Sequence, residues 1–75
     1  MERPQETPIA MAERHVAEAE ARFAKQAHVL EVLRRMAADE IIIQTAERRL
    51  ADFQTDLDIA RDHLRFMQKR HGKTP

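Results

Sequence analysis

The sequence predicts an all-α fold, an antiparallel two-helix coiled-coil hairpin that pairs into a dimeric four-helix bundle. Three observations carry this expectation. Ile43, Ala46, Leu50, Phe53, Leu57, Ala60, Leu64 and Met67 follow one another in alternating steps of three and four, the a/d spacing of a coiled-coil seam. An earlier run of Ile9, Ala12, Val16, Ala19, Phe23, Leu30, Leu33 and Ala37 keeps the same spacing, with Gln26 as its only polar member. Finally, the 75 residues include one glycine (Gly72), three prolines confined to the first eight positions and the last, and 35% charged side chains. That composition suits helices and leaves little material for sheet turns or flexible linkers.

Helix one starts after Thr7. The threonine hydroxyl can cap free backbone N–H groups, and Pro8 is tolerated at the first helical position. The spacing carries the helix over residues 8–36, leaving residues 1–7 as a flexible N-terminal segment. Beyond Ala37 the same phase would continue at position 44, yet the second seam starts at Ile43, so the repeat lacks one residue. The slip falls beside Asp39, a residue that starts helices better than it fills them, and it places a turn at residues 37–40. Helix two is expected over residues 40–71, stopped by Gly72, with 72–75 as a tail.

Folding one seam on the other about residue 38 pairs Ile9 with Met67, Ala12 with Leu64, Val16 with Ala60, Ala19 with Leu57, Phe23 with Phe53, Gln26 with Leu50, Leu30 with Ala46, and Leu33 with Ile43. Half of these layers set an alanine against a larger side chain, the alternation that fills a close helix interface without overpacking it. Gln26 is read as a register-fixing core residue. At the seam edges Arg22 is expected opposite Asp56 and Glu13 opposite Arg61; exposed pairs of this kind contribute only about 0–1 kcal/mol and select register more than they stabilise it. A register one heptad away would put Ile41, Ile42 and Ile43 in or beside the loop.

The apolar residues outside the seam fall on one flank. Val29, Val32, Met36 and Ile42 gather near the turn, and Met11, Ile59 and Phe66 near the open end. The other flank carries Glu13, Glu20, Glu31, Arg34, Glu47, Asp58, Arg61 and Arg65 and reads as a solvated face. A lone hairpin would leave the apolar flank in water, at about 1.5–3 kcal/mol for each large side chain not buried. These seven residues are the expected interface. A second copy related by a two-fold axis is the simplest cover, and a different protein is the alternative.

Composition also narrows the function classes. Thirteen basic and thirteen acidic side chains cancel, so the broad positive field of a nucleic-acid binder is missing. The cluster Lys69, Arg70, His71 and Lys73 answers the dipole at the end of helix two before it suggests a phosphate site. The chain has no cysteine, which excludes disulfides and thiolate chemistry. No stretch approaches the roughly 18 apolar residues that cross a bilayer, and Met1 to Thr7 do not read as a signal peptide. A cytoplasmic, bacterial protein is the expectation.

Of the four histidines, His15 falls opposite His63 in the chosen register, with Glu18 and Asp62 nearby in sequence. Two imidazoles and a carboxylate can ligate zinc, but the His-x-x-x-His or Glu-x-x-His spacing of metal-binding bundles is absent and Arg14 adds positive charge. No metal and no cofactor is therefore expected. No nucleophile adjoins a base, no glycine-rich loop is present, and a filled two-helix seam has no concave substrate pocket. The reading is non-enzymatic, with no catalytic residues.

The stretch Glu13-Arg14-His15-Val16-Ala17-Glu18-Ala19-Glu20, then Arg22-Phe23-Ala24-Lys25-Gln26, and later Leu50-Ala51-Asp52-Phe53 and Asp62-His63-Leu64, resembles a group of short, uncharacterised alphaproteobacterial helical-hairpin proteins. The likeness spans most of residues 13–64. Members of that group carry a Gly-His-Asp-Thr-like turn, where this chain has Met36-Ala37-Ala38-Asp39-Glu40 and about three extra residues. Only Asp39 matches, so the resemblance implies a capping role for it, supports the hairpin, and implies no activity.

Three function classes follow. The first is a protein-interaction or structural module that self-associates through the apolar flank. The second is a nucleic-acid-binding four-helix-bundle regulator using Lys69, Arg70 and Lys73. The third is a regulator that sequesters a partner's amphipathic helix in the same flank.

Overall fold

A computed structural model of the chain describes residues 6–71. They form two helices, α1 (Pro8–Arg35) and α2 (Glu40–His71), packed against each other along their length as an antiparallel hairpin. Helix one starts where the sequence places it: the Thr7 hydroxyl accepts a hydrogen bond from the Ala10 N–H at 3.0 Å, and Pro8 occupies the first turn. Glu6, within the expected N-terminal segment, lies against α1. Its carboxylate accepts bonds from Arg14 Nε and Nη2 at 3.0 and 3.1 Å, and Arg14 also donates to Glu18 at 3.1 Å. These bonds hold the Glu6 carboxyl below its ordinary pKa and the Arg14 guanidinium above its own. The rest of the expected N-terminal segment (1–5) and the tail with Gly72 and Lys73 lie outside the described residues.

The turn comprises residues 36–39, one position earlier than the spacing suggests. Met36 is the last residue with right-handed geometry, and Ala37 follows at φ 54, in the left-handed region. Ala38 N–H donates to the Leu33 carbonyl at 3.0 Å and Ala37 N–H to the Arg34 carbonyl at 3.1 Å. These are the paired six-to-one and five-to-two bonds of a Schellman stop, made here with alanine where glycine is usual. Left-handed geometry costs an alanine about 1–2 kcal/mol, which the closed turn bears. Asp39 then starts α2: its carbonyl accepts from Ile43 N–H at 3.0 Å. Among the described residues its carboxylate makes no hydrogen bond to the first turn, so the capping implied by the resemblance rests on the backbone alone.

None of the sixteen seam positions from Ile9 to Leu33 and from Ile43 to Met67 is exposed. Ala12, Ala19, Leu30, Ala46 and Leu57 are buried, and the others are half-buried. The four members of two expected layers, Ala19 with Leu57 and Leu30 with Ala46, are all buried, as the register about residue 38 requires. Gln26 contributes to it directly, donating Nε2–H to the Ala46 carbonyl at 3.0 Å. Helix carbonyls point toward the C-terminus, which brings the Ala46 oxygen up to the height of Gln26, near the Leu50 layer.

The edge pairs differ from expectation in their partners. Arg61 bonds Glu20 at 3.2 Å, not Glu13, and Arg34 bonds Glu47 at 2.6 Å. Side chains on a helix lean toward its N-terminus, and in an antiparallel pair each helix leans opposite to the other. Arg61 therefore reaches toward the turn while Glu20 reaches away from it, and the two meet. Glu13 and Arg61 lean apart. Arg22 and Asp56 likewise form no ion pair within the hairpin.

Candidate interaction surface

The two flanks of the hairpin are built differently by the same heptad arithmetic. Positions e and b face one side, positions c and g the other. On the e/b flank Glu20, Arg34, Glu47 and Arg61 tie the helices together, and Gln54 donates to Asp58 at 2.9 Å. On the c/g flank the large side chains are apolar at both ends and charged in the middle.

At the turn end Val29, Met36 and Ile42 are exposed, and at the open end Met11, Ile59 and Phe66 are exposed, all six on the expected flank. Val32 differs: it is half-buried. Ile41 was not among the expected residues, yet at 75% it is the most exposed large apolar side chain described. It occupies the f position of the first turn of α2, adjoining the c position around the helix. The run Ile41-Ile42-Ile43 is the signal that could have found it, since only one of three consecutive residues can enter the seam.

Between these residues lies an open cleft of about 300 Å3 at the turn end. Val29, Leu33, Ile41, Ile42 and Ala46 form its apolar walls, with Thr45, Gln26 and Arg49 as its polar members. Its depth follows from sequence. Ala46 is small, and Gln26 spends its amide on the Ala46 carbonyl, so the helices are less filled here than at the Phe23–Phe53 layer. The reading of a completely filled seam is corrected on this point.

The middle of the flank carries Arg22 and Lys25 on α1 and Arg49, Asp52 and Asp56 on α2, all exposed and none in an ion pair with another described residue. At the open end Arg70 places its guanidinium 5.7 Å from the centre of the Phe66 ring, a cation–π contact on the same flank. Lys69 and Arg70 thus stand at the end of α2 where they meet its dipole, with Arg70 also committed to Phe66.

His15 and His63 are both exposed, and His28 sits 3.9 Å from Glu31 on the outer face of α1. Among the described residues no group of three or more histidines and carboxylates is placed to hold a metal ion. No described helix is long and apolar enough to cross a membrane. No family model, no curated protein and no solved structure matches the chain.

Proposed function

We propose that this chain is a small non-enzymatic interaction module that self-associates through its c/g flank, two hairpins forming a dimeric four-helix bundle in the cytoplasm. The observation that carries this reading is the contrast between flanks. One is closed by ion pairs within the hairpin; the other exposes six large apolar side chains, with Ile41 beside them, and charges of both signs that have no ion-pair partner among the described residues. Covering such a side chain contributes about 1.5–3 kcal/mol when burial is complete. A chain of this length rarely buries enough apolar surface alone, and here Leu30 and Leu57 are the only large seam side chains among the described residues that are fully buried. A second hairpin supplies the missing layer, as in bundles whose helices pack around one shared core.

Equilibrium sedimentation of the wild type and an Ile42→Glu/Phe66→Glu variant tests the reading. Both residues stand clear of the seam, so the variant is expected to keep its helical circular dichroism while shifting from dimer to monomer mass. A variant that stays dimeric removes the flank from the interface. A wild type that is helical and monomeric at all accessible concentrations overturns self-association, and points to a partner's amphipathic helix seated in the cleft.

A further inference from the structure

Building on self-association, we infer that the two copies pair with their turns at the same end, α1 of each lying on α2 of the other, in an orientation selected by the charged strip at the middle of the flank. At its centre the strip is divided by helix: Arg22 and Lys25 stand on α1, Asp52 and Asp56 on α2. Arg49 of α2 lies beyond them toward the turn, level with Ala27, and Glu18 of α1 lies beyond them toward the open end, where Arg14 holds it. In the register formed, Asp52 lies level with Ala24 and Asp56 level with Glu20, so the cations and the carboxylates occupy the same height on neighbouring helices. None of the four is paired with another described residue.

Two copies can place this flank face to face about either of two axes. A two-fold axis along the hairpin keeps every height unchanged and sets α1 over α2 of the second copy. Arg22 and Lys25 then meet Asp52 and Asp56, twice by symmetry. An axis across the hairpin sets α1 on α1 and α2 on α2 with heights reversed. That arrangement brings Arg22 and Lys25 near their own copies at the centre, and the two aspartates near theirs. Juxtaposed like charges at an interface cost several kcal/mol and opposite charges fix register, so the strip favours the first axis. Both axes leave all neighbouring helices antiparallel, and helix dipoles do not separate them.

The first axis also distributes the apolar ends well. Each end meets itself, so no match between patches of different size is needed. At the turn end, α1 of the second copy brings its Val32 and Met36 over the cleft walled by Ile41 and Ile42. Met36 is a flexible, polarisable side chain 69% exposed in the single hairpin, suited to filling an irregular gap.

Charge reversal combined with distance measurement tests the orientation. Arg22→Glu/Lys25→Glu and Asp52→Lys/Asp56→Lys are each expected to weaken homodimerisation at least tenfold, and their equimolar mixture to restore a dimer. With the crosswise axis, a single reversal leaves like charges facing like charges and the homodimer no weaker than wild type. Because the chain lacks cysteine, Asp39→Cys gives one spin label per copy at the turn. Turns at the same end put the labels within about 25 Å, given interhelix spacings of 8–10 Å. Turns at opposite ends put them about 45 Å apart, at 1.5 Å per residue along the bundle. A dimer with the long distance, or with unaffected single reversals, overturns the inference and leaves self-association standing. A monomeric wild type overturns both.

Discussion

The e/b flank and the c/g flank run along the same two helices, in the same register, and yet do different work. On the first, acidic and basic residues alternate between helices so that Glu20 finds Arg61 and Glu47 finds Arg34. On the second, the equivalent g positions hold Val29, Met36 and Ile42 near the turn and Arg22, Arg49 and Asp56 at the middle, with no ion pair between the helices among the described residues. A hairpin needs only one sealed edge to hold register. The other edge is then free to carry exposed apolar residues and charges that the hairpin itself does not pair, among the described residues. The difference teaches that exposure alone is a poor guide to function in so thin a protein: both flanks are exposed, but among the described residues only one carries ion pairs that join the two helices.

The sharpest way to break the comparison uses two residues one position apart on either side of Asp58. Leu57 is 4% exposed in the seam and Ile59 is 61% exposed on the flank. Leu57→Ala removes a buried side chain from the layer it shares with Ala19, leaving two alanines there, and is expected to cost about 2–5 kcal/mol of stability. Ile59→Ala is expected to leave the hairpin itself unchanged within about 0.5 kcal/mol while weakening assembly. Urea unfolding at a concentration low enough to populate monomer reads the first effect, and the sedimentation constant reads the second. Equal destabilisation of the monomer by both substitutions would erase the distinction between seam and flank.

A smaller effect lies at the turn, which belongs to neither flank. Ala37 adopts a left-handed backbone at φ 54, and Ala37→Gly relieves the Cβ penalty at that position. The expected gain is about 1 kcal/mol in urea midpoint terms, with the dimer dissociation constant unchanged once the monomer is fully folded. Stabilisation accompanied by altered assembly would mean that the turn geometry, and not only Ile41 and Ile42 beside it, takes part in the interface.

The seam and both helices were legible in the sequence because a three-four alternation of apolar residues has one low-energy reading, and Thr7-Pro8 marks its start. The turn was legible as a missing residue in the repeat, but its stop signal was not, since Ala37 does by backbone geometry what glycine normally announces. Arg61 pairs with Glu20 and not with Glu13 for a reason of direction: equal height on two facing helices names the right neighbours for short side chains and the wrong ones for arginine and glutamate, which lean along their own helix. Ile41 escaped notice because position letters assume that a facing helix continues past it, whereas α1 has already ended. The charges of the middle strip were present in the sequence throughout. Only the geometry shows that Arg22 and Asp56 fail to pair, and that failure turns two solvated residues into candidates for recognition.

The smallest effect tests the sealed flank. Glu20→Gln/Arg61→Gln removes a cross-helix pair whose side chains are each about half exposed, 51% and 48%. An exposed pair is screened and loses side-chain entropy on forming, so a double-mutant cycle is expected to return a coupling of about 0–1 kcal/mol that shrinks with added salt. The dimer constant should not move, because the proposed assembly leaves this flank in water. The charge reversals on the opposite flank are expected to change that constant at least tenfold. If removing the Glu20–Arg61 pair instead dissociates the dimer, the flank read as sealed is the one the second copy occupies, and the apolar residues opposite it need another explanation.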